Sequence, residues 1–137
     1  MGDIAVTAGD VSPGTDAGLD VTGTAGAALT AGQVVYYSAS ADEYLVADTE
    51  TSSTTADADG VVVCTAADTQ KCVVQKTGQI DIGGTVVVGT VYVLSVTGKI
   101  APADDLATGD WVTVIGIGVT ATDIKLGINA SAVQVPA

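Results

Sequence analysis

Two stretches of this chain, GAALTAGQVVYYS at 26–38 and GTVVVGTVYVLSV at 84–96, lie over one another with Gly32 on Gly89, Val34 on Val91 and Ser38 on Ser95. The correspondence continues: YLVAD at 44–48 falls on KIAPAD at 99–104, and DGVVV at 59–63 on DWVTV at 110–114, with shorter loops the second time. A unit that recurs within one chain is a supersecondary element that buries its apolar face against its neighbour. The spans 26–63 and 84–114 therefore predict two copies of one strand-turn-strand-loop-strand unit around a shared core. A length of 137 residues suits one domain of that kind.

The apolar runs are short and separated by turn residues, at 33–37, 44–47, 60–65, 72–76, 79–82, 91–96, 99–101, 111–119 and 124–128. Valine, threonine and alanine dominate, and there is one tryptophan and no phenylalanine. Small and β-branched side chains suit a pleated surface and lose rotamer freedom in a helix. The expected class is all-β, an antiparallel β-barrel or β-sandwich built from the two related units. TGQ at 77–79 and TGK at 97–99 read as tight turns, with Gly78 and Gly98 free to take positive φ. In WVTVIGIGV at 111–119 both faces are apolar, and the glycines point to a bend or a close backbone approach. The polar stretch 49–59 reads as a surface loop.

Residues 1–18 carry only isolated apolar side chains, Ile4, Val6 and Val11, together with Pro13, among Gly, Asp and Thr. They read as a loosely held, flexible N-terminal arm, with the β domain spanning 19–137. An extended arm of this sort can add as a strand to another protein's sheet edge, which makes Ile4, Val6, Val11 and Pro13 the candidate binding residues.

Sixteen acidic residues face four lysines, Lys71, Lys76, Lys99 and Lys125, for a net charge of −12. Phosphate binding depends on clustered Lys and Arg, so neither nucleic acid nor an anionic membrane is an expected partner. No apolar run is long enough for a membrane-spanning helix, and the start MGDIAVTAGD lacks the basic and apolar regions of a secretory signal. With no histidine, the Ser-His-Asp and Cys-His arrangements cannot be assembled. Catalysis is not expected, a hydrolase working by carboxylates alone being the remaining enzyme reading, and no cofactor is implied. DADG at 57–60 suggests a calcium loop, but Thr55 and Ala66 stand where ligating acids would be needed, so no metal site is expected.

Three of the four tyrosines and three carboxylates fall within 31–48. Leu94 stands at the place of Tyr37 in the second copy and Lys99 at that of Tyr44, so these tyrosines read as strand-surface and core residues, with Asp42 and Glu43 in the hairpin turn. Cys64 and Cys72 flank TAADTQK. They either face each other across a hairpin and form a disulfide or remain two reduced, buried thiols.

AGQVVYYSASADEYLVAD, ADGVVV, VGTVYVLSVTGKIAPADDLATGDWVTVIGIG and KLGINASAV together resemble a family of small Ala-, Gly- and Val-rich structural proteins of tailed bacteriophages and prophages, over roughly residues 27–135. The "GTVYVLS…GKIAPADDL" signature carries the likeness. Members look like capsid decoration, or cement, proteins. The resemblance implies a β-rich body on the outer surface of the head shell, bound to the major capsid protein and stabilising it. It also implies self-association, with homotrimers frequent, an arm that becomes ordered on the shell, and no catalytic residue. Cys64 and Cys72 depart from the family pattern, so a disulfide would be particular to this chain. A rival reading is a tail-tip or fibre-associated module that recognises host polysaccharide, with Trp111 and Tyr44 as the stacking aromatics.

Overall fold

The structure, a computed structural model, describes residues 3–136. The short valine-rich runs pair into ten strands: β1 (Val11–Pro13), β2 (Gly18–Thr24), β3 (Val34–Ser38), β4 (Glu43–Val46), β5 (Gly60–Val62), β6 (Lys71–Ile82), β7 (Val91–Leu94), β8 (Ile100–Pro102), β9 (Trp111–Gly118) and β10 (Asp123–Gln134). Every ladder is antiparallel, and the sheet curls into a half-barrel; the described residues contain no α-helix. The all-β class expected from composition is the class observed.

Strand order is β4-β3-β5-β6-β10-β9-β7-β8, with β1 and β2 also paired to β6. Its two halves mirror each other, β4-β3-β5-β6 against β8-β7-β9-β10, and β6 and β10 meet at the centre from Asp81↔Asp123 to Thr77↔Gly127. The repeat is thus realised as two four-stranded halves of one sheet. Matching hydrogen bonds mark it: the Gly32 N–H donates to the Val62 carbonyl and the Gly89 N–H to the Gly118 carbonyl, both at 2.8 Å. Both glycines sit at positive φ, +95° and +84°, a conformation that costs other residues.

Pairing corrects the third strand of that repeat. Val34↔Val61 and Val35↔Gly60 in the first half correspond to Val91↔Ile117 and Tyr92↔Gly116 in the second. The counterpart of 60–62 is therefore 116–118, not the DWVTV stretch at 110–114. A β-bulge in the next step, between Tyr92↔Gly116 and Val93↔Val114, shifts the register of β9 and hides the equivalence in a gap-poor alignment. Gly60 and Gly116 share a physical role. A Cβ on Gly60 would lie 2.5 Å from the Gln75 carbonyl oxygen, and one on Gly116 2.2 Å from that of Lys125.

TGK at 97–99 does form the β7–β8 turn, with Gly98 at φ +70°. TGQ at 77–79 is not a turn: β6 runs unbroken through Gly78 at φ +83°. Residues 16–17 pack so closely there that a Cβ would lie 2.3 Å from the Asp16 carbonyl oxygen. The buried Gln75 amide spans the distortion, donating to the carbonyls of Thr77 at 3.0 Å and Gln79 at 2.7 Å.

Two cores result. One lies inside the first half, where β2 closes back on β4 through the Ala25↔Tyr44 bridge over Leu29, Val35, Val62 and Val74. The larger joins the halves, with Val34 and Val61 in the same cluster as Ile80, Tyr92, Ile115 and Ile124.

Close approach at Gly116 and open space at Gly127, where nothing lies within 4 Å of a Cβ, make a matched pair. Gly116→Ala is expected to cost about 1–3 kcal/mol in urea unfolding. Gly127→Ala, one face away on β10, is expected to stay within about 0.5 kcal/mol of the parent. Equal midpoints would show that the strands do not approach so closely.

Candidate functional site

Ile4, Val6 and Ala8 alternate with Asp3, Ala5 and Thr7, which is strand periodicity in a stretch too sparse to be read as a strand. The structure uses that periodicity. Ile4, Val6 and Ala8 turn onto the large core, and Val11 is 8% exposed within it. The Ile4 N–H donates to the Ile100 carbonyl at 2.8 Å, the Thr7 N–H to that of Gly83 at 2.7 Å, and the Gly14 N–H to that of Gln79 at 2.8 Å. Between these anchors β1 pairs with β6 through Val11↔Ile82 and Pro13↔Ile80. Val6 presses on Gly32, where a Cβ would lie 2.5 Å from its Cγ1.

The expectation of a loosely held arm over 1–18, with Ile4, Val6 and Val11 free for a partner, is corrected; residues 1 and 2 lie outside the described residues. The half-barrel leaves apolar surface around Val34 and Ile82 that the chain's own N-terminal segment covers. Of the four candidate residues only Pro13 remains exposed. Residues 3–6 form one wall of a groove of about 520 Å³ whose other walls include Thr30, Gln33, Gly98 and Lys99.

A second grouping draws on the tyrosine-rich hairpin. Tyr37 and Tyr44, opposite one another on β3 and β4, meet edge to face with centroids 5.5 Å apart. Tyr44 is 2% exposed, while Tyr37 is 41% exposed at the mouth of a polar cleft shared with Asp20, Thr22, Asp42 and Lys76. The Tyr44 hydroxyl donates to Asp20 Oδ2 at 2.7 Å, and the Tyr37 hydroxyl donates to Asp42. Lys76 Nζ lies 5.9 Å from the Tyr44 ring centroid. The bond from Tyr44, reinforced by the Thr22 N–H and hydroxyl, lowers the Asp20 carboxyl from its ordinary 3.8 to about 2. Burial, then the Asp20 carboxylate, pushes the Tyr44 phenol upward. Asp20 belongs to β2, a strand that sequence patterning missed because Gly18, Asp20, Gly23 and its threonines mask its alternation.

In this cleft the Tyr44 phenol, whose proton is held more tightly than usual, hydrogen-bonds the Asp20 carboxylate, whose proton is held less tightly. Of the two aromatics named for sugar stacking, Tyr44 is buried, and Trp111, at the start of β9, is half-buried against the large core, its backbone N–H donating to the Thr49 carbonyl at 2.7 Å. No group of three or more metal-ligating side chains occurs among the described residues, and Asp57–Gly60 leads into β5.

Cys64 and Cys72 are both free, Cys64 exposed and Cys72 buried. The β5–β6 register, Val61↔Gln75 and Val62↔Val74, would set residues 64 and 72 opposite each other if it continued. It stops because residues 65–66 are drawn to the 29–31 segment: the Leu29 N–H donates to the Ala66 carbonyl at 2.8 Å, and the Ala31 N–H to Thr65 Oγ1 at 3.1 Å. That turn swings Cys64 out to solvent. Neither a disulfide nor a pair of buried thiols is what forms.

Compared with known proteins, the chain matches no family model and no curated sequence.

Two outcomes check these arrangements. Val11→Asp, which sets a charge in the core, is expected to lower stability by about 3 kcal/mol. Deleting residues 3–13 is expected to lower the thermal midpoint as well, and an unchanged midpoint would mean the segment does not cover the core. For Asp20, whose folded value is lowered, the stabilisation is present above 3.8 and fades as pH falls toward 2. Its exposure limits the effect to about 1 kcal/mol or less. Tyr44→Phe is expected to raise the Asp20 carboxyl toward its ordinary value in an NMR titration; an unmoved titration would refute the hydrogen bond as its cause.

Proposed function

We propose that this chain is a structural virion protein, a decoration or cement protein that binds the outer surface of a tailed-phage capsid and stabilises it. The observation that carries this reading is the resemblance over roughly 27–135, whose "GTVYVLS…GKIAPADDL" signature falls on β7, β8 and the turns around them. Most of the signature's apolar residues, among them Tyr92, Leu94 and Ile100, are buried, so the likeness speaks to a shared architecture. The net charge of −12 supports an outward-facing place, where like-charged coats keep particles dispersed and no DNA is in reach.

On this reading the partner is the major capsid protein, the copies self-associate, with a homotrimer as the expected form, and the place of action is the outside of the virion. No nucleic acid, membrane, cofactor or catalytic step is involved. The action is mechanical: a protein bound across neighbouring shell subunits adds its contact free energy to the assembled state alone and shifts shell stability by linkage. The arm engages the shell while folded on its own body, because Ile4, Val6 and Val11 are committed to the core.

A second reading, a tail-tip or fibre module that recognises host polysaccharide, is favoured by one observation: Tyr37 stands exposed beside Asp20, Asp42 and Lys76, an aromatic face flanked by hydrogen-bonding groups. Quantitative mass spectrometry of purified virions separates the two. Decoration is expected to give a copy number near that of the major capsid protein. A count lower by an order of magnitude or more would move the chain to the tail or a vertex, and absence from virions would overturn both readings.

A further inference from the structure

The ladder between β5 and β6 stops one pair short of the cysteines. Val61 faces Gln75 and Val62 faces Val74, and beyond them the Val63 N–H still donates to the Val73 carbonyl at 3.0 Å. The next pair in that register is Cys64 with Cys72. Because Val63 and Val73 are hydrogen-bonded, the position after them is of the non-hydrogen-bonded kind, whose Cα atoms stand about 4.5 Å apart in an antiparallel ladder. That spacing falls within the range of about 4.4–6.8 Å that a disulfide requires. Side-chain alternation agrees: Val62, Val74 and Cys72 turn into the small core, and position 64 shares the face of Val62.

Residue 64 is held out of the ladder by the bonds that draw 65–66 to Leu29 and Ala31, and its thiol is exposed. The Cys72 thiol is buried and lies toward β2, where a Cβ on Gly23 would be 3.3 Å from its Sγ. Closing the pair takes a turn of the backbone at residue 64 and a new rotamer at Cys72. The exposed thiol is the one that a soluble oxidant reaches. Burial pushes the Cys72 thiol up, which leaves Cys64 as the first to react.

We infer that Cys64 and Cys72 are a redox pair: the structure holds the dithiol, and a low-molecular-weight disulfide such as oxidised glutathione converts it to a cross-strand bond that extends the β5–β6 ladder. The Cys64 thiolate attacks one sulfur of glutathione disulfide and expels a glutathione thiolate, which takes up the Cys64 proton. The Cys72 thiolate then attacks Cys64 Sγ in the mixed disulfide and releases the second glutathione, which takes up the Cys72 proton. Two protein thiols are oxidised, and one glutathione disulfide is reduced to two thiols. The bond ties the end of β5 to the start of β6 beside the small core. It does so only in oxidising surroundings, and a reducing compartment leaves the dithiol. The inference rests on strand register and does not depend on the capsid reading.

The test holds the full chain in buffers ranging from reduced to oxidised glutathione, quenches with acid, alkylates, and reads intact mass and tryptic peptides; trypsin cuts after Lys71, between the two cysteines. The expected end product has lost two hydrogens, carries neither alkyl nor glutathione groups, and yields two peptides joined through Cys64 and Cys72. Cys72→Ser, which removes the second thiol, is expected to accumulate the glutathione adduct at Cys64 about tenfold or more above the parent. Cys64→Ser is expected to stay unmodified, because its one thiol is buried. Far-UV circular dichroism of the oxidised parent is expected to keep its β signature. A parent that stops at the Cys64 adduct, or that links two chains through Cys64, overturns the inference, as does a bond that forms only with loss of the β signature.

Discussion

The antiparallel pairing of β6 with β10 is the contact on which the rest of the architecture depends. From Asp81↔Asp123 to Thr77↔Gly127 it joins two four-stranded halves into one sheet. It brings Ile80 and Ile124 side by side in the large core, so that neither half has to bury its apolar residues alone. The ladder sets two aspartates directly opposite each other at one end, an unfavourable juxtaposition that the paired isoleucines and the core beneath them outweigh. Beyond Thr77 the strands part, and β2 takes the place along β6 that a longer β10 ladder would have held. The first half thereby closes around its own small core, and the second stays open.

That difference explains the N-terminal segment and the exposed valines together. Backbone groups at Ile100, Gly83 and Gln79 accept hydrogen bonds from residues 4, 7 and 14, and apolar surface near Gly32 accepts Val6. Ordering those residues costs conformational entropy, which burial of Ile4, Val6 and Val11 offsets. Nothing comparable reaches Gly89. Near-equivalent strands end up in unlike surroundings, because Val34 and Val61 turn into the core between the halves whereas Val91 and Ile117 turn away from it.

The strand content was legible because valine-, threonine- and glycine-rich runs separated by turn residues have no other compact use, and the repeat was legible because Gly32 and Gly89 are both needed at positive φ. Three features were not. The alternation of Ile4, Val6 and Ala8 spans too few residues to stand out from a disordered tail. TGQ at 77–79 has the chemistry of a hairpin, and only the packing of residues 16–17 against Gly78 makes it a distortion inside one strand. The Tyr44–Asp20 bond joins residues 24 apart on strands that meet only when β2 closes the first half.

By itself the sequence determined what is local: a β-only chain, a doubled unit, strongly acidic, with a tight turn at Gly98 and no histidine for acid-base chemistry. Which repeat face is covered, whether Cys64 meets Cys72, and which tyrosine faces water were decided by tertiary structure. The physical reason is that pleat and turn preferences act over a few neighbouring residues, whereas burial depends on which distant segment arrives first-hand at a surface. Residues 3–13 lie against β6 and Gly32, 65–66 against 29–31, and β2 against β4, and none of these meetings is encoded in the period of the segments that make them.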